Sequence, residues 1–576
     1  MFRRLSLAFV AVAALSACDE AAETPVSPTQ QIDATADARP DRGEFFALTL
    51  LHNNDAESAL LADGDVGGVA RFASLIGDLR AEGEECGPRG RAPNYSCDVI
   101  VVSSGDNFLA GPQFNASTDA GYDPFYDAIG VNAIGYDAIA IGNHEFDFGP
   151  AVLADFIGAV DDAPFLSANL NVSTEPALAS LADRIAASAV IETEGGPVGI
   201  IGATTERLDE ISSPGLVGIG DVRSAVMAEV MALEAEGVNR IILISHLQSV
   251  EEDRALIAGL RGIDIVVAGG GDELLAGADS ELLPGDEADG PYPIIARDAD
   301  GEDVPLVTTS GSFEYVGRLQ VIFQGGRVQR ILDGSGPIAV IGGAQDGALL
   351  ASVEAPVAAE VEDLQNEIVG STNILLDGTR GLVRTRETAY GSLIADAILA
   401  AAPGGADIAI ANGGGIRNSV VLDPGSDITR FDTFQTLPFS NFVYTLPGIM
   451  PTRLLEVLEN AVSRVEFVDG RFAQVAGLEF SYDASQPAGS RVIDVTVGGT
   501  PYVIDGVAQP EPALRLAIVN FLAGGGDGYP LGDLTPETGP TTYQKALEDY
   551  IGALVTVEAG DVPLGRITCV GGACPS

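Results

Sequence analysis

Residues 138–145 have the sequence AIAIGNHE, in which a short apolar run ends in Gly, Asn, His and Glu. Four further apolar runs also lead into polar loops, at residues 46–51, 99–103, 241–245 and 263–268. Near-continuous apolar runs of this length are typical of strands that are buried on both faces. Since the carboxyl ends of strands in an α/β fold converge on one crevice, we expect these polar loops to lie on a common rim.

The expected rim carries carboxylates, an amide and imidazoles, namely Asp55, Glu57, Asp106, Asn143, His144, His246 and Asp272. This mixture of side chains is typical of a divalent metal site. One carboxylate shared between two cations would give the two-metal arrangement that suits in-line displacement at phosphorus. A single histidine is commonly an ordinary core or surface residue, but all three histidines of the chain follow these strands. Their placement favours the metal site.

Helical patterns at 222–236 and 251–260 lie between the candidate strands and predict a layered α/β architecture. The chain has 576 residues, more than one hydrophobic core normally holds, which predicts two domains. Residues 345–368 have the composition of a connecting helix, with Pro356 as its one breaker. A second α/β domain is expected from about residue 370, with a strand at 408–411.

The charge balance is strongly acidic, with 30 Lys and Arg against 83 Asp and Glu and a formal net charge of -53. A surface of this charge repels nucleic-acid backbones and anionic membranes, so we expect no nucleic-acid partner. A small anionic substrate remains compatible with it, because local arginines and bound cations can invert the field inside a pocket.

The first residues have the pattern of an export signal: two arginines precede an apolar run at 5–15, which ends in LSAC at 15–18. The LSAC stretch resembles a bacterial lipobox and predicts a signal peptide over 1–18, a lipidated Cys18 and a disordered tether over 19–43. An ordinary signal peptide cut nearby is the alternative. We expect an exported protein at the periplasmic face of the cell envelope, held to the membrane by the lipid alone.

The four remaining cysteines form two pairs that are each close in sequence. In an oxidising compartment this predicts the disulfides Cys86–Cys97 and Cys569–Cys574. A zinc site made from the four is less favoured, because the pairs lie far apart and lack the usual short spacing.

Motifs in both halves resemble those of one enzyme family. Gly-Asp at 105–106, Gly-Asn-His-Glu at 142–145 and the later His246 resemble the calcineurin-like metallophosphoesterase signature. The second half resembles the 5'-nucleotidase C-terminal domain, through RTRE at 384–387, NGGGIR at 412–417, PF at 438–439 and NFLAGGGDGY at 520–529. The resemblance spans about residues 45–565.

The resemblance implies a four-layered α/β-sandwich metallophosphoesterase domain followed by a smaller α/β 5'-nucleotidase C-terminal domain. The implied division is 44–343 for the first domain, 344–368 for the connecting helix, 369–566 for the substrate domain and 567–576 for a tail. By resemblance, Asp55 binds one of two metals, Asp106 bridges both, and Asn143 and His246 bind the second. His144 would be the catalytic histidine that stabilises charge on a phosphoryl or leaving oxygen.

The same resemblance implies a nucleotide site in the second domain, formed by Arg384, Asn412, Gly414, Arg417, Phe439 and Tyr529. The two arginines would bind anionic or ribose groups with their planar guanidinium groups. Phe439 and Tyr529 would stack on the two faces of the base.

The chain departs from the family pattern at three metal-ligand positions. Glu57 and Asp272 stand where the family has ligands that are usually histidines. Gly270 replaces another histidine, whose ligand is either missing or supplied by a neighbour such as Glu273. Carboxylates suit manganese, magnesium and calcium, whereas imidazole suits zinc, so the sequence favours Mn, Mg or Ca over Zn.

Taken together, these motifs predict an exported, metal-dependent 5'-nucleotidase that releases phosphate from nucleoside monophosphates in nucleotide catabolism. The enzymatic alternatives on the same fold are a 2',3'-cyclic phosphodiesterase with 3'-nucleotidase activity and a nucleotide-sugar diphosphatase. The alternative from another class is a non-catalytic surface protein with a degraded metal site, which Glu57 and Gly270 favour. The retention of both the metal and nucleotide motifs opposes it.

Overall fold

A computed structural model of the chain describes residues 45–84, 95–271, 273–439, 441–539, 541–571 and 574. The predictions for the signal peptide, Cys18, the tether, Cys86 and Asp272 lie outside these residues. Within the described ranges no helix has both the length and the apolar character that crossing a membrane requires.

Two sheets pack face to face in the first half of the chain. The eight-stranded sheet has the order Arg327–Ile331, Tyr315–Gln324, Phe45–Asn53, Tyr95–Ser103, Ala138–Ala140, Phe165–Leu166 and Ile185–Ala186, with Gly336–Ala339 paired to Tyr315–Gln324. The six-stranded sheet has the order Ile294–Arg297, Asp303–Val307, Ile265–Gly269, Ile241–His246, Gly196–Thr204 and Ser188–Thr193. Apolar side chains from both sheets, such as Leu48, Ile100 and Ile244, form one buried cluster between them.

Helices cover the outer face of each sheet. Val69–Glu84, Pro112–Asp119, Tyr126–Ile134 and Pro150–Ala159 pack on the eight-stranded sheet, and Val222–Ala235 and Val250–Ile257 pack on the six-stranded one. The four layers confirm the predicted α/β sandwich, and each strand run expected from the sequence forms a strand. Phe45–Asn53, Tyr95–Ser103 and Ala138–Ala140 are parallel neighbours, as are Gly196–Thr204, Ile241–His246 and Ile265–Gly269. Within each sheet the carboxyl ends of these three strands therefore lie side by side at one edge.

Residues 347–366 are helical almost throughout, in the stretch expected to connect the two halves. A π-helical turn at Leu350–Glu354 separates Gly347–Leu349 from Ala355–Asn366. Pro356 is the second residue after this turn. Since proline lacks an N–H and its ring collides with the preceding turn of an α-helix, the wider π turn lets the helix continue through it.

The second half forms a further mixed α/β unit with its own buried core. One of its two largest sheets has the order Val443–Ile449, Leu514–Val519, Ile408–Asn412 and Ala473–Ala476. The other has the order Val507–Ala508, Thr500–Ile504, Val492–Val497, Leu478–Asp483 and Ile567–Val570. Three strands, Asp427–Thr429, Ile368–Thr372 and Thr556–Val557, form a smaller sheet. The helices are Arg380–Val383, Ala389–Ala400, Arg430–Thr436, Pro451–Val462, Asn520–Ala523 and Tyr543–Leu554.

The C-terminal residues are part of this unit. The stretch expected to be a tail contributes the strand Ile567–Val570, which pairs in parallel with Leu478–Asp483. The predicted Cys569–Cys574 disulfide is present. The Cys86–Cys97 pairing stays a prediction.

Candidate active site

The loops after the first two strands turn sharply and lie against each other. Asp55, Glu57 and Asp106 all have left-handed backbone conformations, with φ of 51°, 50° and 52°. Such conformations are uncommon outside glycine and are characteristic of functional loops. The Asp55 N–H donates to the Gly105 carbonyl and the Glu57 N–H donates to the Asp106 carbonyl, each at 3.0 Å. These bonds fix the three carboxylates relative to one another.

Asp106 lies at the centre of the carboxylate and imidazole groups. Its Oδ2 is 2.9 Å from His246 Nε2 and 3.9 Å from His144 Nε2. Asp55 Oδ1 is 4.0 Å from His246 Nε2, and Glu57 Oε1 is 4.0 Å from His144 Nε2. The side chains thus form two groups that could each hold a cation, one with Asp55 and His246 and one with Glu57 and His144, and Asp106 belongs to both.

His246 is oriented as a metal ligand would be. Its Nδ1 lies 2.8 Å from the Ser104 carbonyl, which can only accept, so this nitrogen carries the proton. Its Nε2 then faces Asp106 and Asn143, whose Oδ1 is 3.1 Å away. Fixing an imidazole through its other nitrogen is the usual arrangement around protein-bound metals.

His144 forms a pair with Asp147, a residue that the sequence motifs did not single out. His144 Nδ1 lies 2.5 Å from Asp147 Oδ2, and Asp147 also accepts from the Ser212 hydroxyl at 3.0 Å. Burial alone would lower the pKa of His144, but Asp147 and Asp106 outweigh it and raise this pKa to about 10. The neighbouring carboxylates thus favour the protonated imidazole, whose Nε2 points toward them.

Glu145, the last residue of the opening motif, braces the loops from beneath. It is completely buried and accepts hydrogen bonds from the backbone N–H groups of Asp106, Asn107 and Gly142, at 2.7–3.0 Å. One buried carboxylate thus holds the loop after Tyr95–Ser103 against the loop after Ala138–Ala140.

The donor set fits divalent cations. Burial raises the pKa of Asp55 to about 8, and Asp106 and Glu57 add to the rise against the opposing effect of His246. Several carboxylates that are packed this closely repel each other unless cations lie among them. Oxygen ligands predominate in both groups, with one imidazole in each.

His52, the third histidine, is not part of this cluster. It belongs to the strand Phe45–Asn53 and not to the loop after it, and its Nε2 lies 2.8 Å from the Tyr292 hydroxyl in the core. Burial lowers its pKa to about 3, so it is a neutral core residue. The inference that all three histidines share the crevice is wrong for this one.

A single cavity of about 410 Å³ joins the carboxylate cluster to the second half of the chain. From the first half it is lined by Asp55, Glu57, Asp106, Asn143 and His144, and from the second by Arg384, Asn412, Gly414, Arg417 and Phe439. The structure therefore brings five residues of each motif set together around one cavity.

The wall from the second half carries cations and aromatic rings. Burial and the neighbouring guanidinium groups of Arg380 and Arg417 lower the pKa of Arg384 to about 10. Among the described residues the buried Arg384 Nε has no hydrogen-bond partner. Arg417 lies over the Phe439 ring at 5.6 Å, and this ring is nearly parallel to the His144 ring at 6.4 Å. Such a wall suits an anion attached to a flat ring.

Comparison with known proteins identifies the family. The crystal structure of a 5'-nucleotidase precursor from Thermus thermophilus is 31% identical, covers 92% of this chain and 100% of its own, and has a TM-score of 0.71. This chain belongs to the 5'-nucleotidase family. Residues 368–532 match the model of the 5'-nucleotidase C-terminal domain.

Curated relatives agree with this assignment. The mouse 5'-nucleotidase is 29% identical over 84% of each chain. The trifunctional nucleotide phosphoesterase protein YfkN of Bacillus subtilis is 30% identical over 87% of this chain, which spans only 33% of that longer protein. As a 5'-nucleotidase family member, the chain is a metallophosphoesterase-type hydrolase that acts on phosphoester bonds.

The position of Tyr529 requires a correction in this 5'-nucleotidase family member. Its side chain is only 2% exposed, its hydroxyl donates to the Arg471 carbonyl at 2.8 Å, and it does not line the cavity. Phe521, from the same motif, lines the cavity together with Phe439. Phe521, and not Tyr529, is therefore the second aromatic residue of the cavity.

Asp527 is a second cavity residue that the sequence reasoning missed. It is held by the Asn412 side-chain amide, whose Nδ2 is 2.5 Å from Asp527 Oδ2, and burial raises its pKa to about 6. The carboxylate stands between two glycines in the motif at 520–529, and its neighbours in sequence do not mark it as a cavity residue. Of the predicted metal ligands, only Asp272 falls outside the described residues.

Proposed function

We propose that this chain is a metal-dependent 5'-nucleotidase that releases phosphate from nucleoside monophosphates. The observation that carries the proposal is the shared cavity, in which Asp106 and His144 face Arg417 and Phe439. A phosphate ester at the carboxylate cluster would have its organic group at the arginines and aromatic rings. A cyclic phosphodiesterase or a nucleotide-sugar diphosphatase would use the same groups around a cyclic or a larger ester. These two activities are the second candidates.

The residues of the first half would bind and orient the phosphate. We assign Asp55, Asp106, Asn143 and His246, with Glu57, to two divalent cations, which would neutralise charge on the phosphate and acidify a water molecule. His144 would donate from Nε2 to a phosphoryl or leaving oxygen, while Asp147 keeps its Nδ1 protonated. The oxygen-rich donor set favours manganese, magnesium or calcium over zinc.

The residues of the second half would bind the nucleoside. Phe439 and Phe521 offer flat faces for the base, since aromatic rings stack on bases regardless of their identity. The Asn412–Asp527 pair offers hydrogen-bonding groups for the sugar hydroxyls.

Arg417→Ala is expected to lower kcat/KM for AMP by about 10–100-fold, because a hydrogen bond to a charged group contributes about 1.5–3 kcal/mol. Hydrolysis of p-nitrophenyl phosphate should change far less, since that ester has no nucleoside to bind. Steady-state kinetics on both substrates give the comparison. Arg430→Ala is the matched control, because Arg430 lies over Phe434 at 5.4 Å but does not line the cavity. Equal losses on the two esters would show that Arg417 supports the fold and does not bind the nucleotide.

We further propose that the enzyme acts outside the cytoplasm, anchored by a lipid on Cys18. The signal-like residues 1–18 motivate this, and the Cys569–Cys574 disulfide is typical of an oxidising compartment. Mass spectrometry of the mature N-terminus should find a diacylglyceryl-modified Cys18. A mature chain that starts elsewhere and carries no lipid would rule out the anchor.

A further inference from the structure

Gly270 stands at a ligand position of the family, and Gln248 fills the space beside it. Gly270 has φ of +85°. A Cβ at this position would lie 2.9 Å from the backbone nitrogen and the Nε2 of Gln248, and 2.9 Å from His246 Nε2. Side-chain carbons do not approach other atoms this closely. In this backbone a histidine at 270 and the observed Gln248 side chain therefore exclude each other.

Gln248 itself is held in position by an unusual backbone. Its φ of 87° is left-handed, which is uncommon for a residue with a side chain. The side chain is half-buried, lines the cavity and places Nε2 2.6 Å from Asn143 Oδ1. Asn143 Oδ1 in turn lies 3.1 Å from His246 Nε2. The Gln248 amide is thus a direct neighbour of the groups assigned to the second cation.

We propose that Gln248 is a metal ligand, binding the second divalent cation through its amide oxygen where the family uses the histidine at 270. This proposal rests on the metal dependence proposed above. Rotation about the last side-chain torsion exchanges the amide oxygen and nitrogen, so the oxygen can take the position that Nε2 holds beside Asn143. Asn143 and Gln248 would then both direct oxygens at the cation.

The chemistry of the amide agrees with the rest of the site. An amide oxygen is a hard, neutral ligand of the kind that manganese, magnesium and calcium accept. It adds no charge to a cluster in which Asp55, Glu57 and Asp106 already repel one another. Gly270 and Gln248 thus change together: the absence of a histidine at 270 leaves room for the Gln248 side chain, and the amide oxygen replaces the lost imidazole ligand. The second cation keeps the same number of ligands.

The rival role for Gln248 is that of a hydrogen-bond donor that only positions Asn143. Two substitutions separate the roles. Gln248→Glu keeps an oxygen ligand and removes the N–H donor, whereas Gln248→Ala removes both. If Gln248 is a ligand, only Gln248→Ala should impair metal binding. If Gln248 is a donor to Asn143, both variants should impair it, because a glutamate oxygen would repel the Asn143 oxygen and has no N–H to donate.

Manganese stoichiometry and affinity of the stripped full-length protein provide the test, by isothermal titration calorimetry and by elemental analysis of the reloaded protein. We expect two manganese ions in the wild type and in Gln248→Glu. In Gln248→Ala the second ion should bind more than about 10-fold more weakly, since even groups outside the first shell change metal affinity 10–100-fold. Gln320→Ala is the control, because Gln320 is half-buried in the same half of the chain but does not line the cavity.

Three results would overturn the proposal, and they differ from one another. Unchanged manganese binding in Gln248→Ala would show that Gln248 is not a ligand. An equal loss in Gln248→Glu and Gln248→Ala would assign it the donor role. A wild type that binds no manganese while still hydrolysing AMP would also remove the metal dependence on which the proposal rests. Circular dichroism of each variant establishes that the comparison is made between folded proteins.

Discussion

Asp106→Asn is expected to abolish phosphate release from AMP, with kcat/KM falling by more than about 10³-fold, and to remove both cations together. Asp106 is the one carboxylate that belongs to both candidate ligand groups. Exchanging it for an amide removes the negative charge between the two cations, and losing one electrostatic group of an active site commonly costs about 10²–10³-fold by itself. Kinetics and elemental analysis of the purified variant measure the two effects.

Two comparisons make this result specific. Asp264→Asn changes another buried carboxylate, which does not line the cavity and accepts a 2.9 Å hydrogen bond from the Ile241 N–H. This variant should keep both cations. Wild-type protein stripped by a chelator should lose activity in the same way as Asp106→Asn, but should regain it with manganese more fully than with zinc. If Asp106→Asn retained both cations, or if zinc restored activity best, the assigned site would be wrong.

His144→Asn is expected to lower kcat on AMP by about 10²–10⁴-fold, the usual range for a positioned proton donor, while both cations stay bound. The paired Asp147 already holds His144 Nδ1, so its Nε2 is the group free to reach a phosphoryl or leaving oxygen. The measurement is kcat at saturating AMP alongside elemental analysis. Unchanged metal content is what separates this variant from Asp106→Asn.

Asp147→Asn is the companion variant, and it should give a smaller loss than His144→Asn, because the imidazole remains but loses its carboxylate partner. The Glu57, Asp106 and His144 grouping also permits His144 to be a ligand itself. If His144→Asn lost one of the two cations, that ligand role would replace the donor role assigned here.

The candidate metal loops could be predicted from the sequence because Asp55, Asp106 and Asn143 lie two or three residues after strand ends and His246 is the last residue of its strand. The apolar runs identify the strands, and the parallel order of the sheet sets their ends side by side, so Asp55, Asp106 and Asn143 needed no tertiary information. His52 shows the limit of this reasoning. The strand continues to Asn53, two residues beyond the apolar run, and the register pairing His52 with Gly317 places the imidazole in the core.

The aromatic residues that line the cavity from the second half of the chain are harder to predict, because their placement depends on how one loop turns. In the motif at 520–529, positive φ angles at Gly525 and Asp527 reverse the chain. The reversal puts Phe521 on the cavity side and Tyr529 in the core. A Cβ at Gly526 would lie 2.4 Å from the Phe521 ring, so this glycine provides the room for that ring. The resemblance implied Tyr529, because the sequence carries no signal for the turn that places Phe521 at the cavity instead.

Asp147 and Gln248 escaped prediction for a different reason. Neither belongs to a family motif, and their contacts, Asp147 with the His144 ring and Gln248 with Asn143 on another strand end, are visible only in the folded chain. A one-residue signal existed only for Gly270, whose departure from the family pattern marked the place where a substitute ligand was needed.

The brace formed by Glu145 has a consequence for how such a site can change over time. Glu145 holds the loops through the backbone N–H groups of Asp106, Asn107 and Gly142, and these bonds do not depend on any ligand side chain. The substitution at 57, or the coupled pair at 248 and 270, can therefore be accepted without loosening the frame that carries it. A change of ligands, and with it of metal preference, therefore leaves this frame in place.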